Sequence, residues 1–267
     1  TDAVNAEDKN VLRVEVRDSL SKIYPYGKQS KNRGGMWYTP VSGIWQNVWM
    51  EQVPEQFIEN IKLTPDMKGI KVEVTSRCSI KMASNHAVTN ELIKTIQIEL
   101  DDGNIITESF TGNEHYVDMS AYNPKLWSVE EPHIYMAWVQ MGQDQVETYF
   151  GLRQIEVKEI NGINRVCLNG KPIYMNGVLD QGYYPDGIFL PAEEEEYERD
   201  ILRMKALGIN MLRKHIKIEP ECFYYYCDLH GMLVVQDMVN SGPYSFIRDT
   251  ALPTVGILRK SDKHTRA

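Results

Sequence analysis

The chain has 267 residues, of which 42% are hydrophobic and 25% charged, and its formal net charge is −8. This composition is typical of a globular protein with enough apolar material for more than one core. The acidic balance and the lack of a basic run argue against a nucleic-acid partner. No apolar stretch has the length of a membrane-spanning helix, so no membrane partner is expected.

The cysteines are few and follow no metal-binding spacing. Cys78, Cys167, Cys222 and Cys227 do not form a CxxC pattern of the kind that holds zinc. We therefore expect buried free thiols, no metal site and no cofactor.

The first region, residues 1–51, contains two predicted strands. Apolar residues alternate with charged residues over 11–17, which is the period of a half-buried strand. An aromatic-rich segment at 36–49 is expected to end in a second strand. Two or three strands do not make a stable domain. We therefore expect their partners before Thr1, or in the segment that follows.

The second region, residues 52–155, consists of short β runs at regular spacing. The runs over 57–63, 69–74, 95–100 and 133–139 suit strands, and the Asp-Asp-Gly-Asn sequence at 101–104 is typical of a hairpin turn. About 100 residues of this kind predict a two-sheet sandwich of the immunoglobulin-like type, with no helix of three turns or more.

The third region, residues 156–267, switches to strand–helix alternation. Strands are predicted at 171–178, 209–213 and 232–236, and helices at 192–207 and 220–231. This order favours parallel pairing, as in the first three β/α units of a (β/α)₈ barrel. About 110 residues follow residue 155, whereas a whole barrel takes roughly 250.

Polar residues follow each predicted barrel strand, where barrel active sites form. Such residues can donate and accept hydrogen bonds to a polar ligand, and we predict a substrate-binding set of Asp180, Gln181, Arg213, His215, Asp237 and Asn240. Structural alternatives stay open: Arg213 could tie the barrel together, His215 could be satisfied by a loop, and Asp237 could bond backbone amides. Lys214 is as easily a solvated residue.

Six motifs in the same order resemble glycoside hydrolase family 2, which includes β-galactosidases, β-glucuronidases and β-mannosidases. The resemblance covers nearly the whole chain. The motifs are SGIWQNVWME (42–51), LWSVEEPHIY (126–135), FGLR (150–153), LNGKPIY (168–174), NMLRKH (210–215) and DLHGMLVVQD (228–237). The resemblance implies three parts: the end of a jelly-roll sugar-binding domain at 1–51, an immunoglobulin-like sandwich at 52–155, and the start of a TIM barrel at 156–267.

The resemblance also implies retaining hydrolysis of β-glycosidic bonds by two glutamates on later barrel strands, the first within an Asn-Glu pair. The Asn-Glu pairs of this chain, at 90–91 and 113–114, lie in the predicted sandwich, and no glutamate follows Glu221. We therefore expect a fragment truncated at both ends, with no catalytic residue and no activity of its own.

The expected partner is a carbohydrate substrate, and assembly into homo-oligomers stays open. The segment after the first barrel strand lacks the histidines common in galactosidases and glucuronidases. It offers Tyr183 and Tyr184, which could stack on a sugar ring, and Gly35 stands where galactosidases place an aspartate. The alternatives from other classes are a noncatalytic carbohydrate-binding module and a degenerate structural homologue.

Overall fold

The structure, a computed structural model, describes residues 9–78, 92–242, 244–245 and 247–256. Strands dominate as far as Pro172, and strands alternate with helices after it. No helix within these ranges is long and apolar enough to cross a membrane.

The described residues between 56 and 150 form two antiparallel sheets. The first sheet contains, in spatial order, Gln56–Pro65 (β1), Gly69–Cys78 (β2) and Glu114–Asp118 (β5). The second contains Ile105–Phe110 (β4), Lys94–Glu99 (β3), Tyr135–Met141 (β6) and Asp144–Phe150 (β7). One apolar cluster joins the inner faces of both sheets, so this region is a β-sandwich.

The core of the sandwich follows from the alternation of the sequence. Val72 on β2 and Ile98 on β3 are fully buried. Lys71, which directly precedes Val72 in β2, points outward, and its ammonium group lies 2.7 Å from the Glu114 carboxylate. Full burial of one such aliphatic side chain contributes roughly 1.5–3 kcal/mol. The predicted hairpin turn joins β3 to β4 through Gly103, whose φ of +80° suits glycine.

The four predicted strands of this region are confirmed as β1, β2, β3 and β6. Between Gln56 and Phe150, the described residues contain no helix beyond the single 3₁₀ turn Ser120–Tyr122. The limits drawn at residues 51 and 155 stay predictions.

The two strand predictions before residue 51 are wrong. Residues 11–17 and 44–49 are not strands, and Val11 and Trp49 are 91% and 75% exposed. Alternation shows only which residues can share a face; a strand also needs a neighbour for its backbone hydrogen bonds. No described strand pairs with either segment. Residues 22–46 instead form an irregular segment, called the arm here, whose Tyr26 amide donates to the Asn240 carbonyl at 3.0 Å.

The strand predicted at 171–178 is also wrong as one element. A small antiparallel sheet contains Ile155–Ile160 (β8), Ile163–Leu168 (β9) and Lys171–Pro172 (β10), while Gly177–Asp180 (β11) belongs to another sheet. The Asn210 side chain accepts from the Asn176 amide at 2.8 Å and donates to the Tyr174 carbonyl at 2.8 Å. These bonds satisfy backbone groups that a continuous strand would have paired.

The rest of the fold is a parallel sheet with two helices between its strands. In chain order the elements are β11, Glu195–Ala206 (α1), Met211–Lys214 (β12), Glu221–His230 (α2) and Leu233–Gln236 (β13). The predictions of both helices and of the last two strands are confirmed. Gly208 and Gly231 end the helices with φ of +79° and +71°, as helix-terminating glycines do. A short helical segment, Ile247–Ala251 followed by Leu252–Thr254 (α3), comes after β13.

The sandwich docks on the end of α2 through a buried tryptophan. The Trp127 ring is 2% exposed, and its Nε1–H donates to the Asp228 carbonyl at 2.6 Å. The Arg153 guanidinium lies over the same ring and pairs with the Asp228 carboxylate at 3.1 Å. Gly231 allows the close approach, because a Cβ there would lie 2.4 Å from the Val129 carbonyl oxygen.

Candidate functional site

The parallel strands end in polar residues on the side that faces the helices. Asp180, Lys214 and Gln236 are in register across β11, β12 and β13, two residues beyond the position of the apolar Leu212 and on the same face. Side chains alternate along a strand. Arg213 therefore points to the opposite face, where its side chain is 53% exposed.

Arg213, His215 and Asp237 form a cluster on that opposite side. The guanidinium of Arg213 makes two bonds to the Asp237 carboxylate, at 3.1 and 3.0 Å, and His215 Nδ1 lies 2.9 Å from Asp237 Oδ2. The hydrogen bonds from Arg213 and then His215 lower the pKa of the Asp237 carboxyl. Asp237 therefore serves as the shared anion of this cluster.

The arm brings a cation to the other nitrogen of the same histidine. Lys28 Nζ lies 3.2 Å from His215 Nε2. An ammonium group can only donate a hydrogen bond, so Nε2 is the acceptor and Nδ1 carries the proton that Asp237 receives. The two contacts, one at each ring nitrogen, therefore fix the orientation of the His215 ring.

The arm also contributes aromatic rings. The Tyr38 ring lies edge-on to His215, with ring centroids 6.3 Å apart, and 4.9 Å from the Tyr183 ring. The Tyr38 hydroxyl shares a hydrogen bond with the Gln181 side chain, and burial raises the pKa of Tyr38. Burial and then the neighbouring Tyr38 raise the pKa of Tyr183 to about 12. Both hydroxyls therefore stay protonated near neutral pH.

A cavity of about 690 Å³ lies between residues 16–46, which include the arm, and the turn at residues 215–218 that follows β12. A cavity of this size is in the range of small-molecule sites, and aromatic walls with a few polar groups are typical of them. The lining includes Tyr26, Tyr38, Trp45, Tyr183, Phe189 and His215.

Ile216 takes a rare backbone conformation beside the cavity. Its φ is +51°, and its side chain is buried. This region costs a β-branched residue of order 1–3 kcal/mol and often marks functional sites. The turn at Ile216 separates His215, which contacts Asp237, from Lys217, which contacts the loop after β11.

That loop, residues 181–190, is called the β11 loop here and is joined to a buried charge network. Lys217 Nζ donates to the Gly182 carbonyl at 2.8 Å and to the Phe189 carbonyl. Glu219 lies 2.8 Å from Lys217 Nζ and 2.5 Å from Lys214 Nζ, and Lys214 in turn lies 2.9 Å from Asp180. Burial lowers the pKa of Lys217 to about 8, against the opposing effect of Glu219.

The structure brings some of the predicted site residues together and separates others. Arg213, His215 and Asp237 are in direct contact, but among them His215 is the residue that lines the cavity. Gln181 joins the cluster through Tyr38. Asn240 contacts the arm through its backbone carbonyl. Asp180 turns away, since its carboxylate accepts from the Gly182 amide and from Lys214, both at 2.9 Å.

The two residues predicted to stack on a sugar, Tyr183 and Tyr184, lie in different places. Tyr183 lines the cavity. Tyr184 packs edge-on against Tyr197 in the core between helices and sheet, so its ring does not face a ligand. Sequence reasoning missed Lys217, Glu219 and the whole arm. The sequence feature that could have indicated the network is the pair Lys214 and Lys217, three residues apart on either side of His215.

The described residues hold no cluster of three or more metal-binding side chains. Cys167, Cys222 and Cys227 are free thiols, with Cys222 partly buried, and Cys78 has a side chain outside the described part.

The sandwich matches a known family. Residues 56–153 match the family model described as glycosyl hydrolases family 2. Over these residues the chain is similar to glycosyl hydrolases family 2. The resemblance seen in the motifs is thereby confirmed for this part of the chain.

Matches to curated relatives extend over more residues than the sandwich contains. A putative β-glucuronidase of Formosa agariphila is 25% identical over 208 residues, covering 73% of this chain and 24% of the relative. A β-galactosidase of Pectobacterium atrosepticum is 27% identical over 216 residues, covering 74% of this chain and 20% of the relative. The chain thus spans about a fifth to a quarter of these relatives.

Solved structures share the fold. The β-glucuronidase of Parabacteroides merdae superposes with a TM-score of 0.56 at 20% identity, over 70% of this chain and 24% of that one. The β-glucuronidase of Ruminococcus gnavus gives 0.58 at 17% identity, over 70% and 29%. At this identity the likeness speaks for the fold alone.

Proposed function

We propose that this chain is part of a longer retaining glycosidase that hydrolyses β-glycosidic bonds, and that the cavity at the strand ends is part of its carbohydrate site. The family 2 match of the sandwich supports the reaction class. The single observation that carries the site is the cavity of about 690 Å³, walled by arm and β11-loop rings and lined by His215.

The proposal includes the architecture. Parallel β11, β12 and β13 with α1 and α2 between them have the order of a (β/α)₈ barrel that has begun. The sandwich is then the immunoglobulin-like domain, and residues 9–51 are the end of a jelly-roll domain whose arm reaches over the barrel mouth. The contacts of Tyr26 with Asn240 and of Lys28 with His215 support this arrangement. A sugar site between two domains needs residues from each domain on its two sides.

The catalytic carboxylates would come from other parts of the longer protein. A retaining mechanism needs two carboxyl groups roughly 5–5.5 Å apart that face the sugar. Among the described residues, Asp18 lines the cavity, and its carboxylate accepts from the Ser42 hydroxyl at 2.6 Å and from the Leu20 amide at 2.8 Å. Nearby, Asp237 is bound by Arg213 and His215, and Asp180 and Glu219 are held by buried lysines. Of these four carboxylates only Asp18 lines the cavity, so they do not supply the facing pair.

The test is binding without turnover on the chain 1–267. Methyl β-D-galactoside and methyl β-D-glucuronide are titrated by calorimetry, and aryl β-glycosides are incubated with the chain. We expect weak binding, with a Kd of about 1 mM or about −4 kcal/mol, and no hydrolysis. His215→Ala should abolish binding, whereas His115→Ala, in the sandwich beside Glu108, should not.

Two outcomes would contradict the proposal. Binding of neither glycoside, or equal binding by His215→Ala, would remove the carbohydrate site. Hydrolysis above a buffer control that a retaining-glycosidase inactivator abolishes would show that the chain holds its own catalytic pair. Binding by the chain with no hydrolysis by the longer protein would favour the noncatalytic binding module.

A further inference from the structure

We propose that Lys217 is a positioning residue whose ammonium group fixes the β11 loop against the end of β12 and so holds the rings of Tyr183 and Phe189 in the cavity wall. The proposal rests on the proposed function only in taking this cavity as the carbohydrate site. Lys217 itself is not proposed to touch the sugar.

The contacts of Lys217 use all of its donors. Its Nζ donates to the carbonyls of Gly182, at 2.8 Å, and of Phe189, and lies 2.8 Å from Glu219 Oε2. An ammonium group has three donors. None is left for a ligand, and a fully bonded amine is a poor nucleophile. Lys217 is part of the cavity lining, but with its donors occupied by the loop and by Glu219 its role there is to position the loop.

The two carbonyls lie at opposite ends of the β11 loop. Between them the loop closes on itself through the Tyr184 amide to the Ile188 carbonyl, at 2.8 Å, and the Ile188 amide to the Tyr184 carbonyl, at 3.0 Å. Lys217 is thus the group that joins this closed loop to the sheet at both ends. The same ammonium lies 4.3 Å from the centroid of the Phe189 ring.

The surrounding charges allow Lys217 to stay charged while buried. Its side chain is 3% exposed, and those of Glu219 and Lys214 are 0% exposed. Glu219 also accepts from the Tyr197 hydroxyl at 3.1 Å, and Lys214 pairs with Asp180 at 2.9 Å. Two ammonium groups and two carboxylates sum to zero charge. A buried charge without partners would be far too costly.

The loop is packed directly on this network. Gly182 has a φ of +66°, and a Cβ at this position would lie 2.3 Å from Glu219 Oε1. The chain can therefore pass over the buried carboxylate only as glycine. Buried ion pairs are weak stabilisers compared with apolar packing. The main effect of the network is therefore to fix the position of the β11 loop rather than to raise the global stability of the fold.

The experiment compares two lysines of matched chemistry. The double variant Lys217→Met with Glu219→Gln removes one positive and one negative charge, so the network stays neutral. The control is Lys205→Met. Lys205 also donates to two backbone carbonyls, those of Val129 at 2.7 Å and Gly231 at 3.1 Å, but at the sandwich interface.

Amide hydrogen exchange of Tyr184 and Ile188 is measured by NMR on the full chain. We expect exchange at least about tenfold faster in the double variant, equal to about 1.4 kcal/mol, and unchanged exchange in Lys205→Met. The amides of His215 and Asp237, bonded across the strands, should keep their rates. Unchanged exchange of Tyr184 and Ile188 in a folded double variant would overturn the proposal.

If the double variant does not fold, a measurement on the unaltered chain tests the proposal instead. The ¹⁵Nζ signal of Lys217 should be protected and should show hydrogen-bond couplings to the carbonyl carbons of Gly182 and Phe189. A rapidly exchanging Lys217 ammonium without these couplings would overturn the proposal.

Glycoside binding then separates this proposal from the proposed function. If the unaltered chain binds neither methyl β-D-galactoside nor methyl β-D-glucuronide while the exchange result holds, the carbohydrate site fails and the loop anchor stands. Binding weakened about tenfold in the double variant, but not in Lys205→Met, supports both. Unchanged binding despite a freed loop would refute the positioning role.

Discussion

Among the described residues of the sandwich, Lys94 is the one fully buried charge, whereas the ends of β11–β13 and the adjoining turn bury Lys214, Lys217 and Glu219. The sandwich core is otherwise built from aliphatic and aromatic side chains of two sheets. The two regions are therefore stabilised in different ways. Apolar packing makes a scaffold that tolerates modest repacking, while a buried network fixes the geometry of one place and fails when one member is lost.

The strongest way to break this comparison is to remove the central cation of the network. Lys214→Met leaves Asp180 and Glu219 with only Lys217, a net negative charge in a buried site. We expect a loss of about 3–5 kcal/mol, seen as faster amide exchange in β12 and β13 with little change in the sandwich. The control Lys62→Met removes an exposed pair with Glu73 and should cost less than about 1 kcal/mol. Equal exchange in both variants would contradict the role of the network.

The matching change in the sandwich creates a cavity instead. Ile98 is fully buried between the two sheets, so Ile98→Ala should cost about 2–5 kcal/mol. Amide exchange should rise throughout β3 and β6 while the β11 loop keeps its protection. Loss of protection in both regions together would show that they unfold as one unit. That result would contradict separate roles for the sandwich core and the buried network.

A smaller effect tests how the two regions are joined. Trp127→Phe keeps most of the buried ring but removes the Nε1–H that donates to the Asp228 carbonyl at 2.6 Å. The loss of one buried hydrogen bond should cost about 1 kcal/mol. It should appear first as faster exchange at the end of α2. Trp138→Phe, which removes a bond to exposed Glu147, is the control and should change little.

The smallest effect is a pH dependence of the Arg213, His215 and Asp237 cluster beside the cavity. The pKa of Asp237 is lowered by Arg213 and His215. Because the folded pKa lies below the unfolded one, the stabilisation is present above the unfolded pKa and is lost as pH falls through the folded pKa. NMR titration of the Asp237 carboxyl should therefore give a midpoint below 3.8, the ordinary value. Arg213→Gln should raise that midpoint, and an unchanged midpoint would contradict the pairing.

The fold of the sandwich and of the helices was predictable because each residue's role depends on its near neighbours. Ile96 and Ile98 alternate with polar residues, and Gly208 follows the last turn of α1, so periodicity and capping carry the information. The strand at 11–17 failed for a nonlocal reason. Its alternation is real, but no described strand pairs with it.

The site was predictable only in part. The position of Asp237 after an apolar run placed it at the strand end beside His215, as expected. The same argument failed for Asp180, because register puts its carboxylate opposite Lys214 on the helix side. Lys28 contacts His215 across 187 residues of the chain, and the Tyr183 hydroxyl bonds the Thr39 carbonyl across 144. No local pattern encodes such a contact.

The most direct test of the central claim maps where a glycoside binds on the chain 1–267. Methyl β-D-galactoside or methyl β-D-glucuronide is titrated into ¹⁵N-labelled protein, and chemical shifts are followed for backbone amides and for the His215 ring. We expect shifts confined to the cavity lining, namely residues 16–46, the β11 loop and residues 215–218, with the largest change at His215 Nε2, to which Lys28 donates. Shifts centred on the sandwich sheets, or none at His215, would contradict a carbohydrate site at the strand ends.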